Sequence, residues 1–253
     1  GLWGQGWDAY PRPQMRRDSF YSLNGEWQLN GRKILVPFPP QSYLSGYEGR
    51  VGAELTYTKT FLLPEDMRDR KGRRVLLHFG AADQEAEVSL NGQVLGKHEG
   101  GYLPFTYDIT ESLEEGENRL LVRVRDTLSA RYPYGKQRRR RGGMWYTPVS
   151  GIWQSVWLEG VPENYIQNLQ VTADERRVRL AVTSPRDCGI SVTVRLHDGG
   201  LYTVRTEKKE LEIDLDKIRL ADGSDYRPVL WTPEHPYLYE ITIAMGEDVV
   251  FSY

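Results

Sequence analysis

The chain has 253 residues, more than one domain usually contains, so its length favours two cores of ordinary size over the alternative of one large β-domain. Hydrophobic residues make up 39% of the chain and charged residues 27%, a composition typical of a globular protein and not of a disordered or membrane-embedded chain. Lys and Arg number 33 against 35 Asp and Glu. The formal net charge of -2 therefore provides no general field that would attract nucleic acid or an anionic membrane.

The cysteine count and the length of the apolar runs exclude several further classes of protein. Cys188 is the only cysteine, which excludes an intramolecular disulfide framework and a metal site built from several cysteines. No stretch approaches the roughly 20 apolar residues that a membrane-spanning helix needs, so we predict no membrane partner. Gly1–Tyr10 contain no signal-peptide core, but a signal upstream of Gly1 could have been removed, and the cell compartment stays open.

Apolar and polar residues alternate along the first half of the chain, and helical periodicity of useful length is missing, which predicts an all-β fold. Short runs rich in β-forming residues cover residues 56–61, 74–79 and 87–90. The dipeptide Asn91-Gly92 separates the last of these runs from the next apolar run. Because both central positions of a tight hairpin turn need positive φ, this dipeptide predicts a β-hairpin.

Two later runs indicate which strand faces are buried. In Asn118–Asp126 the apolar residues share one face, and the opposite face carries arginines, so it is solvated or meets a neighbouring domain. In the run 152–158, Trp153 and Trp157 lie opposite the aliphatic residues, which predicts a strand covered on both faces. The apolar residues of the first run are Leu120, Val122 and Val124, and those of the second are Ile152, Val156 and Leu158.

The segment Glu159–Asn164 is rich in turn-forming residues, so we predict a domain boundary there, with one domain over residues 1–161 and the other over 162–253. Alternating runs then resume at a spacing that suggests a sandwich of about 90 residues, comparable with an immunoglobulin-like domain. The chain stops inside the apolar run Val249–Tyr253, and we expect the natural protein to continue. The alternating runs contain Val178, Leu180, Val182, Ile190, Val192, Val194, Leu196, Leu211, Ile213, Leu215, Ile241 and Ile243.

Motifs for metals, cofactors and catalysis are missing. His98-Glu99 opens like a zinc-protease helix, but Tyr102 stands where the second histidine should be. Gly4-Gln5-Gly6 has neither the preceding strand nor the following helix of a dinucleotide-binding turn. We predict no metal site, no cofactor and no assignable catalytic residue, and we interpret the acidic residues as solvated surface charge. The remaining histidines, which we interpret as surface or hydrogen-bonding residues, are His78, His197 and His235.

One strong local charge cluster runs from Lys136 to Arg141 and contains four consecutive arginines. Such a run can serve nuclear import or phosphate binding. It is flanked by tyrosines on one side and by Met144-Trp145-Tyr146 on the other, which favours a long loop between strands. Guanidinium forks donate paired hydrogen bonds and aromatic faces stack on the C–H side of sugars, so the composition also suits a carbohydrate.

Several segments, taken in order, resemble glycoside hydrolase family 2, whose members include β-galactosidases and β-glucuronidases. The resemblance implies a jelly-roll-like, galactose-binding-like β-sandwich followed by an immunoglobulin-like β-sandwich. It also implies a catalytic (β/α)8 barrel after these two domains, with both catalytic glutamates on that barrel. The matching segments are Pro11–Gln14, Ser22–Trp27, Val36–Pro39, His98–Phe105, Asp108–Thr110, Ser150–Leu158 and Trp231–Tyr239.

The resemblance also suggests which residues border the substrate. Some family members carry an acidic residue just before the Met-Trp that corresponds to Met144-Trp145, but this chain has Gly143 there, which puts a β-galactosidase assignment in doubt. We expect the chain to be the non-catalytic part of a β-glycosidase, with carbohydrate and its own barrel as partners, and homo-oligomerisation of the full-length protein stays open. The residues that we expect to border the substrate pocket are Arg138, Arg141, Trp145 and Tyr146.

Two alternatives remain. A free-standing carbohydrate-binding module would need a complete sugar site on the first sandwich, and a nucleic-acid binder would have to use Arg138–Arg141; we favour neither. The segment His98–Phe105 also has two interpretations. It could contact sugar directly, or Gly100 and Gly101 could permit a tight crossing of the chain, with Tyr102 and Phe105 in the core. We favour the structural interpretation.

Overall fold

The structure, a computed structural model, describes residues 10–12, 14–126 and 149–252. These form two compact units. The first consists of Ser19–Gly160 together with the residues before Arg12, and the second consists of Val161 onward together with Arg12–Asp18. The secondary structure is β-strand with a few short 3-10 turns, so the predicted all-β class is confirmed. In the described ranges no helix is long and apolar enough to span a membrane.

The first unit is a sandwich of a six-stranded and a four-stranded antiparallel sheet, with a small two-stranded sheet beside them. The six-stranded sheet has the order β3-β2-β4-β10-β7-β8, the four-stranded sheet β1-β12-β5-β9, and the small sheet β11-β6. The strands that the structure describes in this unit are β1 (Phe20–Ser22), β2 (Gly25–Leu29), β3 (Arg32–Val36), β4 (Glu54–Leu62), β5 (Arg73–Phe79), β6 (Ala82–Asp83), β7 (Glu85–Leu90), β8 (Gln93–Glu99), β9 (Phe105–Asp108), β10 (Glu117–Arg125), β11 (Gly151–Ile152) and β12 (Val156–Pro162).

The core of this unit lies between the two large sheets and is organised around Trp27 and Tyr57, whose rings meet edge to face at 6.4 Å. Strand alternation dictates which residues enter it. The predicted apolar face of β10 is buried, and its arginines Arg119, Arg123 and Arg125 are exposed on the other face. The predicted hairpin is also present: Asn91 and Gly92 have φ of 50° and 84° and connect β7 to β8.

Strand β12 corrects one expectation. All seven of its residues are buried, as the two-sided covering predicted for Trp157 requires, but the run 152–158 is divided between β11 and β12, and Trp153 lies in neither strand. Its last four residues, Glu159–Pro162, belong to the segment that the sequence indicated to be a turn-rich linker, so that interpretation is wrong for them. Gly and Pro carry a strong turn signal, but Gly160 stands in this strand because a Cβ there would lie 2.5 Å from the Ser19 hydroxyl oxygen.

The second unit is a smaller sandwich of a three-stranded sheet, β13-β14-β17, and a four-stranded sheet, β16-β15-β18-β19. The predicted alternating runs lie in these strands, and their inward residues form its core. The domain boundary at residue 161 stays a prediction, and the compact units differ from it by placing Arg12–Asp18 with the second sandwich. The strands are β13 (Asn168–Ala173), β14 (Arg177–Thr183), β15 (Ile190–Arg195), β16 (Leu201–Thr206), β17 (Glu210–Asp214), β18 (Ile241–Met245) and β19 (Asp248–Ser252).

A buried ion pair ties the segment Arg12–Asp18 to this second core. Arg17 donates from Nε and Nη2 to the two carboxylate oxygens of Asp248, both at 2.9 Å, and also from Nη2 to the carbonyl of Ile166. Asp248 accepts a further bond from the Ile166 amide. Both charged side chains are 3% exposed, so each depends on the other to offset its lost hydration.

We predict that Asp248→Ala lowers the free energy of unfolding of the second unit by about 3–5 kcal/mol, because it leaves the Arg17 charge buried without its carboxylate. Chemical denaturation of the 253-residue chain measures this loss. The control is Glu212→Ala, which removes an exposed ion pair with Arg179 and should cost less than about 1 kcal/mol. Equal losses in the two variants would contradict the role given to the buried pair.

Candidate functional site

The four residues that we expect to border the substrate pocket, Arg138, Arg141, Trp145 and Tyr146, lie outside the described residues, as does Gly143. The structure describes the residues on either side of them in sequence, Asp126 and Val149. Asp126 and Val149 lie at one end of the first sandwich, and the described residues at that end are the candidate site.

At this end, His98–Phe105 crosses from β8 to β9, and His98 serves the fold. Its Nε2 lies 3.2 Å from the Gly100 carbonyl, and its ring stacks on Phe105 at 4.1 Å. Phe105 in turn stacks on the buried Phe79 at 4.8 Å. His98 is therefore a packing residue, and within the described ranges no cluster of three or more His, Cys, Asp or Glu could hold a metal ion.

The tight crossing of Gly100 and Gly101 has a specific cause. Gly100 has φ of 109°, and a Cβ on Gly101 would lie 2.2 Å from the Asp83 Oδ1 atom. The structural interpretation of the glycines is supported, but it is wrong for Tyr102, which is 50% exposed and meets the Trp153 ring edge to face at 6.0 Å. The expected core position of Tyr102 fails because Trp153, bonded through Nε1 to the Gly101 carbonyl, holds the turn at the surface.

No sequence pattern pointed to Asp83 and Gln84, yet at this end of the sandwich both side chains are buried with a polar atom that lacks a hydrogen-bond partner. They are 5% and 1% exposed, and neither Asp83 Oδ1 nor Gln84 Nε2 has a hydrogen-bond partner. Burial, with the charge of the nearby Asp126 as the second cause, raises the pKa of Asp83 to about 7. A two-residue strand such as β6 is too short for alternation to reveal, so no signal in the sequence could have found this pair.

Two other positions in segments that the sequence singled out, His78 and Tyr239, form hydrogen bonds within the fold. His78 is 3% exposed and lies 2.9 Å from Glu159 and 2.7 Å from Thr106, so it is a hydrogen-bonding residue, as expected, but a buried one. In the segment Trp231–Tyr239, the Tyr239 hydroxyl accepts from the Val229 amide at 2.8 Å, whereas Trp231 is 57% exposed.

A cleft of about 360 Å³ lies on the outer face of the six-stranded sheet. Several of its charged side chains form ion pairs: Glu87 pairs with Lys97 at 3.2 Å and with Arg123 at 3.4 Å, and Arg125 pairs with Glu54 at 3.7 Å. None of the described residues that line it carries a Phe, Tyr or Trp ring on which a sugar could stack. The described residues of this face therefore form exposed ion pairs and offer no aromatic ring to a sugar.

Each of the two sandwiches matches a known family model. Residues 48–154 match the family model described as glycosyl hydrolase 2 galactose-binding domain-like, and residues 164–252 match the model described as glycosyl hydrolases family 2. The chain belongs to glycoside hydrolase family 2. Membership confirms the resemblance that the sequence segments indicated, on two models that together cover most of the chain.

The curated relatives that this chain matches are considerably longer than the chain itself. A putative beta-glucuronidase of Formosa agariphila is 30% identical over 186 residues, which cover 70% of this chain and 22% of that protein. A beta-galactosidase of Thermoanaerobacter pseudethanolicus is 28% identical over 207 residues, covering 75% of this chain and 25% of that one. The chain thus spans about a quarter of the length of these curated relatives.

A solved structure shows the same fold. The Bifidobacterium dentium beta-glucuronidase, in complex with coumarin-3-O-glucuronide, superposes with a TM-score of 0.68 at 20% identity. The superposition covers 94% of this chain and 48% of that protein. The fold class of two successive β-sandwiches, predicted from alternation and from the family resemblance, is therefore confirmed.

We predict that Gly101→Ala lowers the free energy of unfolding of the first unit by about 1–3 kcal/mol, the usual range for overpacking, because the new methyl group displaces the Asp83 carboxyl. Thermal or chemical denaturation measures it. Gly116→Ala is the matched control, since no atom lies within 4 Å of its Cβ position, and it should change stability by less than about 0.5 kcal/mol. A Gly101→Ala chain as stable as the control would contradict the close contact with Asp83.

Proposed function

We propose that this chain is the non-catalytic two-sandwich region of a family 2 glycoside hydrolase, and that it supports and borders a (β/α)8 barrel that hydrolyses O-glycosidic bonds. The observation that carries the proposal is the pair of family models, one on each sandwich, in a chain that spans about a quarter of its curated relatives. The described residues contain two β-sandwiches and no alternating strand-helix pattern of a barrel.

The names of the relatives support β-glycosides as the substrate class, but they differ in the sugar. One similar protein is named for glucuronides and another for galactosides, at closely similar identity. Their common chemistry is hydrolysis of a β-glycosidic bond, which uses an acid/base carboxyl and a nucleophile or base carboxylate on opposite sides of the sugar. We assign that pair to the barrel, and carbohydrate and the barrel are the partners that we propose for this chain.

The polar chemistry of the two sandwiches supports a structural role. Glu159 is fully buried and bonded to His78 and Tyr10, and Asp248 is held by Arg17, so these carboxylates cannot turn to a substrate. Many other acidic residues form exposed pairs with Arg or Lys, as solvated surface charges do. Asp83 is buried against Gly101. None of these groups reaches a sugar held in an open cleft.

The alternative of a free-standing carbohydrate-binding module is less well supported. Such a module needs aromatic rings and free polar groups on one accessible surface, and the charged cleft on the six-stranded sheet has no Phe, Tyr or Trp among its described lining residues. Exposed aromatic surface occurs instead at the end of the first sandwich, where Tyr102 lies beside Trp153. That end suits a border of a larger pocket.

We predict that the 253-residue chain does not hydrolyse aryl β-glycosides, whereas a longer form of the protein that includes the barrel does, because the catalytic carboxyl pair lies on the barrel. Release of a chromogenic phenol from a panel of glycosides measures both. Turnover by the short chain that disappears on mutation of one of its own carboxylates would refute the proposal.

Trp145 tests the proposed border of the pocket. In the longer protein we predict that Trp145→Ala leaves Tm nearly unchanged and lowers kcat/KM tenfold or more, a loss of about 1.4 kcal/mol in transition-state binding. Trp231→Ala, which removes an exposed ring of the second sandwich, is the control and should change neither quantity. Full activity of Trp145→Ala together with a stability loss of about 3–5 kcal/mol would mean that Trp145 packs its own sandwich.

A further inference from the structure

Four segments of the first unit meet at Asp83, and we call this meeting point the Asp83 junction. Asp83 pairs with Gly151 across the small β6-β11 sheet, and its Oδ1 lies against Gly101. Trp153 donates its indole N–H to the Gly101 carbonyl at 2.8 Å. Asp126 follows the end of β10, and its charge acts on the Asp83 carboxyl. The four segments that meet at Asp83 are therefore β6, the turn after β8, β11 and the end of β10.

Backbone hydrogen bonds of the next residue close the junction. The Gln84 amide donates to the Arg125 carbonyl at 3.4 Å, and the Gln84 carbonyl accepts from the Gly100 amide at 2.8 Å. The side chains are not satisfied in the same way, because Asp83 Oδ1 and Gln84 Nε2 are both buried without a hydrogen-bond partner. Native proteins leave few buried polar atoms unpaired, so two on adjacent residues need a physical explanation.

The protonation state of Asp83 supplies that explanation for its own side chain. A neutral carboxyl can be buried at modest cost, whereas an ionised one without a partner is among the most expensive groups to bury. Burial raises the pKa of Asp83 to about 7, with Asp126 as the second cause, so the packed arrangement suits the neutral form. Among the described residues of the junction, Asp126 is the charged group that acts on Asp83, and Gly101, Gln84 and Trp153 do not titrate in this range.

We propose that the Asp83 junction is a proton-dependent switch: neutral Asp83 keeps the Gly100-Gly101 turn and Trp153 packed on β6, and loss of its proton releases them. The direction follows from linkage. A carboxyl whose pKa is raised on folding stabilises the packed state fully at acid pH, and this contribution is lost as the pH rises from about 4 towards 7 and is absent above it. The sandwich itself remains folded, because most of its core residues lie on strands outside the junction.

The Trp153 indole N–H reports the switch directly, because its acceptor is the Gly101 carbonyl. We expect its hydrogen-exchange protection in the 15N-labelled 253-residue chain, after correction for the intrinsic pH dependence of exchange, to fall at least tenfold between pH 4.5 and pH 7.5. Trp153→Phe identifies the signal by its disappearance. In Asp83→Asn, which stays neutral at every pH, protection should stay within twofold over the same range.

Two further variants keep the test decisive if Asp83→Asn folds poorly. Asp126→Asn removes the like charge, so Asp83 should ionise more easily and the fall in protection should move to lower pH. Asp69→Asn removes an exposed charge of the same unit and should leave the profile unchanged. A wild-type profile that is flat, a fall that persists in Asp83→Asn, or a shift to higher pH in Asp126→Asn would each overturn the switch.

Discussion

Burial of Glu159 in a strand that is covered on both faces is the constraint on which the first sandwich depends. Strand β12 sends Val156 and Leu158 into the core and Trp157 and Glu159 to the opposite face, and all four are buried. A carboxylate with no exposure must find partners within the protein. His78 supplies one from β5 and the Tyr10 hydroxyl supplies another, so a strand of the sheet and the beginning of the described chain are tied to one group.

The second sandwich also contains a buried carboxylate that is bound by a residue distant in sequence. Its buried carboxylate is Asp248, and its partner is Arg17, again from the segment near the start of the chain. The stretch from Tyr10 to Arg17 thus provides a polar partner to a buried acid in each unit, and each partner lies far in sequence from the acid that it binds. This dependence explains why so short a segment, without regular strands, is buried at both Met15 and Arg17.

Local patterns in the sequence predicted the parts of this fold that local physics decides. Alternation located the buried face of β10, and Asn91-Gly92 located a hairpin, because both depend on neighbouring residues alone. The turn-rich interpretation of Glu159–Pro162 failed because partners distant in sequence, such as Ser19, override the tendency of Gly and Pro to form turns. Asp83 could not be predicted for the same reason: its burial comes from Gly101, Gly151 and Asp126, which meet only in the fold.

In this account the buried acids of both sandwiches stabilise the fold, and glycoside hydrolysis belongs to the barrel that we propose. A mechanism-based glycosidase inactivator, a 2-deoxy-2-fluoro glycoside with a good leaving group, tests this division most directly because it traps the nucleophile of a retaining enzyme as a stable ester. Intact-mass and peptide analysis should show the 253-residue chain unmodified, and the longer protein labelled at a residue outside these 253. A stoichiometric glycosyl ester on a carboxylate of the two sandwiches would contradict the account.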